Sequence, residues 1–152
     1  MQKSPRTLAK LFASTLGIGF SPLLPGTLAS FLGVLLYLLV ARSTFWYLSV
    51  VGALCGLGFV ASHRALQATE EKDPSWIVMD EVVGMMISFF QIPSRIPLLV
   101  IGFALFRFFD SVKVPPLDRF EKLKGEWGIF LDDIGAGIYT NLVLHVIIQL
   151  TS

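Results

Sequence analysis

Leu131-Asp132-Asp133-Ile134-Gly135-Ala136-Gly137, with the apolar run that continues it to Leu150, is the stretch that decides the fold. A run of that length and apolarity reads as a membrane-type helix. Such a helix bears an acidic group poorly at its edge and worse at its centre, so the group usually pairs or binds a cation. Adjacent aspartates also repel one another when ionised. A divalent cation that prefers hard oxygen ligands, as Mg²⁺ does, compensates both effects. Moving outward, the same coupling occurs twice more: Asp80-Glu81 precede the apolar run Val82–Ile92, and Asp110 closes the run that starts at Ile96. Five carboxylates, at three stations each hinged to an apolar span, point to a divalent-metal site at a membrane surface.

Composition sets the frame. The chain has 152 residues, which is one domain (1–152) by length. Hydrophobic residues make up 54% and charged residues 15%, with a mean hydropathy of +0.71. An ordinary soluble domain is roughly 25% charged, so the balance points to an integral membrane protein. The net charge of +1 decides nothing, and there is no basic patch of the kind nucleic acid requires. Cys55 is the only cysteine, which rules out an intramolecular disulfide and a cysteine–metal cluster. The start of the chain resembles a signal peptide, but it runs into Ser21-Pro22-Leu23-Leu24-Pro25-Gly26-Thr27 without a clear cleavage site and is read as retained.

The apolar segments are Leu8–Phe20, Leu28–Ala41, Phe45–Ala61, Val82–Ile92, Ile96–Phe109 and Ile134–Leu150. The first is short and broken by glycine, and Pro22, Pro25 and Gly26 end it, so it reads as a half-helix. The other five are candidate transmembrane helices, several of them short: 28–41 spans about 21 Å at about 1.5 Å per residue, against a hydrocarbon core of roughly 30 Å. The expected fold is therefore an all-α, polytopic membrane bundle of about five apolar helices plus a short N-terminal half-helix. With the N-terminus inside, 10 of the 12 basic residues fall on the inner side, and only Arg42 and Arg95 lie outside. That is the asymmetry of cytoplasmic loops, and it puts all three acidic stations on the cytoplasmic face.

Each station has its own chemistry. Asp80 and Glu81 open a helix, where the positive end of the dipole favours carboxylates, and Gly84 and Ser88 follow Asp80 at i+4 and i+8. Arg107 and Asp110 share a helix face at i, i+3, which Lys113 continues until Pro115 and Pro116 stop the helix. This suits a metal on Asp110, with Arg107 and Lys113 on phosphate oxygens. Around Asp132-Asp133, the positions Asp133, Gly137 and Asn141 line one face. Each station has a bland alternative: helix capping at Asp80-Glu81 and Asp132-Asp133, and a local salt bridge at Arg107-Asp110. Gly26-Thr27 opens another helix whose free N–H groups could hold an anion. His63 lies near the stations as an interfacial histidine or a general acid or base, while His145 falls far from them.

These segments resemble, in order and spacing, the phosphatidylglycerophosphatase A family of bacterial membrane enzymes. The resemblance rests on 19–27 (GFSPLLPGT), 80–85 (DEVVGM), 106–110 (FRFFD) with Lys113 and Pro116, and 128–137 (GIFLDDIGAG), and it runs from about Leu11 to Asn141. The chain departs from the family pattern at Val114, where proline usually follows the lysine, and through 117–124. The resemblance implies a Mg²⁺-dependent phosphatase of the bacterial inner membrane, multi-pass, with its site facing the cytoplasm. Its substrate would be phosphatidylglycerophosphate and its product phosphatidylglycerol. Asp80, Glu81, Asp110, Asp132 and Asp133 would be catalytic and metal-binding, and Thr27, Arg107 and Lys113 would bind substrate. Its partners would be that lipid, the surrounding membrane lipids and, if it self-associates, a homo-oligomer.

Other phosphatase chemistries fail on the sequence. A cysteine phosphatase needs Arg six positions after its Cys, and Cys55 is followed there by Ala61. No Asp-x-Asp nucleophile loop and no Arg-rich histidine motif occur. Metal-assisted hydrolysis is left, by attack of water or through an aspartyl-phosphate on Asp110 or Asp132. The competing class is a small cation channel or transporter subunit, which should carry ionisable groups through the span centres, where this chain has almost none.

Overall fold

A computed structural model describes residues 5–71, 74–120 and 122–151. Lys3 and Lys72 of the charge tally lie outside them, as does the side chain of Arg6. The described residues are helical, with no strand among them: α1 (Pro5–Ala13), α2 (Pro25–Val40), α3 (Thr44–Leu66), α4 (Met79–Ser88), α5 (Ile96–Val112), α6 (Leu117–Phe120) and α7 (Glu126–Thr151). The expected N-terminal half-helix is α1, followed by a 3-10 turn at Ile18–Phe20.

Two of these helices, α3 and α7, are long and apolar enough to cross a membrane; α2 is apolar but shorter. The expectation of about five spans is therefore not matched element for element. The physical reason is clearest at α4, whose ten residues reach about 15 Å, half of a roughly 30 Å hydrocarbon core. Eight of those ten residues are buried. The apolarity of 82–92 thus reflects a core helix wrapped on all sides, because an unbroken apolar run cannot distinguish burial in protein from burial in lipid. By contrast, α2, α3, α5 and α7 carry large apolar side chains on the outside, among them Leu39, Phe45, Leu57, Val100 and Leu150.

The strongest packing in the bundle is between α4 and α7, which run parallel. Its basis is a stripe of small residues. A Cβ at Gly137 would lie 2.4 Å from the Gly84 carbonyl oxygen, and one at Gly84 would lie 2.6 Å from the Asp133 carbonyl oxygen. Only glycine lets the two backbones meet so closely, as in membrane helix pairs generally. One turn further on, Asn141 donates through Nδ2 to the carbonyls of Ser88 (3.1 Å) and Phe90 (2.8 Å), taking up orphan acceptors where α4 ends. Asp133, Gly137 and Asn141 therefore face Asp80, Gly84 and Ser88 step for step.

The other helices fix their ends against α4. α2 also runs parallel to it: Gly33 sits against Met85, and Tyr37 Oη donates to the Ile92 carbonyl at 2.5 Å. α3 runs the other way, with Tyr47 Oη donating to the Met86 carbonyl near one end and Gly58 against Met79 and Phe130 towards the other. A core of Met85, Met86, Phe89, Phe106 and Leu144 fills the space between. As a result the first turns of α2, α4 and α7 and the last turns of α3 and α5 gather at one end of the bundle.

Candidate active site

At that end the polar residues converge on a cavity of about 350 Å³. Thr27, Asp80, Glu81, Arg107, Asp110, Lys113, Asp132 and Asp133 all line it, so each of the eight residues singled out from the sequence is present. Leu24, Pro25 and Gly26 contribute one wall, and Pro74, Ser75 and Ile77, just ahead of α4, another.

Each carboxylate is placed by its helix. Asp80 and Glu81 stand in the first turn of α4. Asp110 stands three residues before Lys113, the left-handed residue (φ +50°) that ends α5 before the prolines are reached. Asp132 and Asp133 are not at a helix start, as the capping alternative requires. α7 begins at Glu126, so they lie at the end of its second turn, where both are buried. The apolar run begins at Ile134, but the helix begins earlier, at Glu126.

Two carboxylate trios result. Asp80, Glu81 and Asp133 bring one oxygen each within 4.8 Å of one another, and so do Asp110, Asp132 and Asp133. Asp133 belongs to both. Burial pushes the Asp80 carboxyl well above its ordinary range, and the charges of Glu81 and Asp133 add to this. Burial likewise pushes Glu81 up to about 7; a hydrogen bond to Asp80 opposes the rise, and the Asp110 charge adds to it. Asp80 Oδ1 and Glu81 Oε2 are buried without a hydrogen-bond partner. Buried carboxylate oxygens left this way are costly unless something positive satisfies them.

The residues fit Mg²⁺ on those grounds. The donors are all hard oxygens, and opposite ligands of an octahedral Mg²⁺ stand about 4.2 Å apart at about 2.1 Å per bond. Each trio keeps its oxygens within 4.8 Å of one another, on the scale of that spread.

The basic groups sit beside the trios. Arg107 Nη1 pairs with Asp110 Oδ2 at 2.8 Å, the i, i+3 contact expected from the sequence. Lys113 Nζ pairs with Asp132, a link across 19 positions that periodicity could not reveal. The sequence ties Gly26 to a helix start able to hold an anion and not to the carboxylates, yet a Cβ there would lie 2.5 Å from Glu81 Oε1 and 3.4 Å from Arg107 Nη1. Its only sequence signal was the Pro-Gly turn before a helix. Gly26→Ala is expected to swing the Glu81 carboxylate aside, costing activity about tenfold, on the scale of disturbed ligand support. Thermal stability should hardly change, because a flexible side-chain end gives way rather than backbone. A thermal melt beside a rate measurement checks this, and equal rates in the two proteins would contradict it.

His63 lies apart from the trios. Its Nδ1 pairs with Glu126 Oε1 at 2.9 Å and its Nε2 meets Gln67 Nε2 at 3.0 Å, on an exposed rim. That position fits the interfacial alternative.

Fold and cavity together define a class: a helical protein with membrane-type helices whose carboxylates and cations gather in a cavity at one end of the bundle. The chain belongs to the phosphatidylglycerophosphatase A family, whose model matches residues 11–148. It is 33% identical over 152 residues to a Bacteroides thetaiotaomicron protein named "Putative phosphatidylinositol-3-phosphatase", covering 95% of this chain and 96% of that one. It is 32% identical to Phosphatidylglycerophosphatase A of Escherichia coli (90% of this chain, 81% of that one). To the protein of the same name in Haemophilus influenzae it is 37% identical (90% and 86%). No solved structure matches it.

Proposed function

We propose that this chain is a Mg²⁺-dependent lipid phosphomonoesterase that converts phosphatidylglycerophosphate and water to phosphatidylglycerol and inorganic phosphate. The observation that carries this reading is the convergence of five carboxylates, Arg107 and Lys113, drawn from three separate helices, on one cavity. The family membership supports the substrate.

Asp80, Glu81 and Asp133 would hold one ion and Asp110, Asp132 and Asp133 a second, Asp133 being common to both groups. Bound there, Mg²⁺ supplies charge neutralisation and polarisation at the phosphoryl group. The side chains do the rest. Arg107 offers a planar fork of donors to the phosphoryl oxygens and Lys113 a point charge. Thr27 and the leading N–H groups of α2 receive a further oxygen at the positive end of that helix. A water in the cavity attacks the phosphorus in line with the glycerol oxygen, and a carboxylate of the Asp110–Asp132–Asp133 trio takes its proton. The phosphorus–oxygen bond to the lipid breaks, and the leaving lipid oxygen takes up the proton that the carboxylate received from the water, departing as the alcohol.

In this reading α2, α3, α5 and α7 are set in the bilayer of a bacterial inner membrane, α4 is enclosed among them, and the cavity opens at the cytoplasmic side. The outer turns would then hold Arg42 and Arg95, with most other basic residues inside, in keeping with the positive-inside rule. The apolar core packed around α4 favours an enzyme over a channel. A second substrate reading, phosphatidylinositol 3-phosphate, is favoured by the name and near-complete coverage of the Bacteroides relative.

The test is phosphate release by detergent-purified protein from phosphatidylglycerophosphate, phosphatidylinositol 3-phosphate and phosphatidic acid. EDTA is expected to silence turnover at least about a hundredfold, in line with the several kcal/mol such ions supply, and excess Mg²⁺ to restore it. Full turnover in EDTA would remove the metal from the proposal. Absence of phosphate from all three lipids would remove the activity.

A further inference from the structure

A second, larger cavity of about 720 Å³ shares Lys113, Ile129 and Asp132 with the carboxylate cavity. Its far wall is built by the end of α3 and the segment from Lys122 to Gly128 that opens α7. Its apolar lining comes from Leu66, Leu123 and Ile129. The charged groups divide into those already matched and those that are not, and Glu71 is among the unmatched ones of the described residues. Glu126 is paired with His63, and Asp132 with Lys113. Lys122 and Lys124 also line the cavity, and neither has an ion-pair partner among the described residues. Gly128 admits the Leu123 carbonyl to 2.4 Å of where its Cβ would stand, which holds the lysine-bearing loop against the first turn of α7. The wall thus presents two cations beside the positive end of a helix.

We propose that this cavity is the subsite for the phosphodiester and polyol of the substrate, with Lys122 and Lys124 binding the diester oxygens while the monoester occupies the carboxylate cavity. The inference rests on the lipid-phosphatase reading and deepens it. The two substrates discussed above share one pattern, a terminal phosphomonoester separated from a membrane-anchored phosphodiester by a small polyol. A ligand with two anions needs two adjoining cationic sites, and Lys113 stands in the wall common to both cavities. Phosphatidic acid has the monoester and no diester, so it should make no use of the second cavity. Lys122 and Lys124 thereby become specificity-determining residues. The stretch that bears them is also where the chain departs from the family pattern.

The test uses full-length protein and the variants Lys122→Ala/Lys124→Ala and Lys122→Arg/Lys124→Arg. With Mg²⁺ present, kcat/KM of the alanine pair for phosphatidylglycerophosphate should fall about tenfold, the scale of a lost charged hydrogen bond. The loss should be carried by KM, and the arginine pair should recover most of it. Phosphatidic acid turnover should change less than about twofold, below the scale of one such contact. An equal loss on both lipids, or none on phosphatidylglycerophosphate, would overturn the assignment. Calorimetry with glycerophosphoglycerol, which has the diester and polyol without a monoester, reads the cavity apart from catalysis. Binding by the wild type that is weakened in the alanine pair supports the subsite; no binding, or equal binding, overturns it. A wild type that cleaves no lipid but binds this probe through the two lysines would sink the phosphatase reading and keep the subsite.

Discussion

Asp133→Asn should lower phosphate release about a thousandfold, the upper range for losing one electrostatic contributor to a phosphoryl or acyl transition state. The position is singular because Asp133 is the carboxylate common to both trios. The other four each belong to one, so substitutions there should leave one trio intact and cost less. The change is nearly isosteric, and it removes a negative charge from a group of buried, mutually repelling carboxylates. In metal-free protein the variant should therefore melt at the same temperature as the wild type or a few degrees higher, a trade of activity against stability common at such sites. Rates and melting curves on the same preparation test both halves. Turnover within about tenfold of wild type, well under the loss expected for such a contributor, would remove Asp133 from the centre of the reaction.

Gly137→Ala is expected to cost both stability and activity, at a position without any chemistry of its own. Its new Cβ would stand 2.4 Å from the Gly84 carbonyl oxygen and 3.2 Å from the Ile87 Cβ, contacts with backbone and a packed core residue that cannot yield cheaply. Overpacking of this kind costs about 1–3 kcal/mol. The relief available is separation of α4 from α7, and that moves Asp80 away from Asp133 one turn earlier. A displacement of about 1 Å in a reacting constellation can cost about a hundredfold in rate. The control lies on α3, where a Cβ added at Gly52 or Gly56 would meet nothing within 4 Å. Alanine at either should leave the rate unchanged and stabilise by up to about 1 kcal/mol through helix propensity. Should Gly137→Ala behave like that control in melting and in rate, the close crossing of α4 and α7 would not be what sets the site.

Much of the site is legible in the sequence because acidic groups beside apolar runs are costly. Asp80-Glu81, Asp110 and Asp132-Asp133 stand out on that ground alone, and all line the one cavity. Helical periodicity suffices for Arg107 with Asp110 and for the face shared by Asp133, Gly137 and Asn141. It fails where the information is tertiary. The Lys113–Asp132 pair, the approach of Gly26 to Glu81 and the His63–Glu126 pair each join residues far apart in the chain. The number of spans is less legible in the sequence, for a different reason. A ten-residue core helix such as α4 has the same composition as a piece of a membrane helix, and only its enclosure by α2, α3, α5 and α7 sets it apart.

The order of the carboxylates along the chain has a consequence for how the protein matures. Asp132 and Asp133 reside on α7, whereas their counterparts emerge from the ribosome some fifty and some twenty positions earlier, a lag of seconds at about 5–20 residues per second. Until that helix seats itself, neither trio exists, and the nascent chain holds Asp80 and Glu81 with nothing to complete them. On the proposed function, catalytic competence therefore waits for that helix, and the first appearance of phosphate release would time its docking.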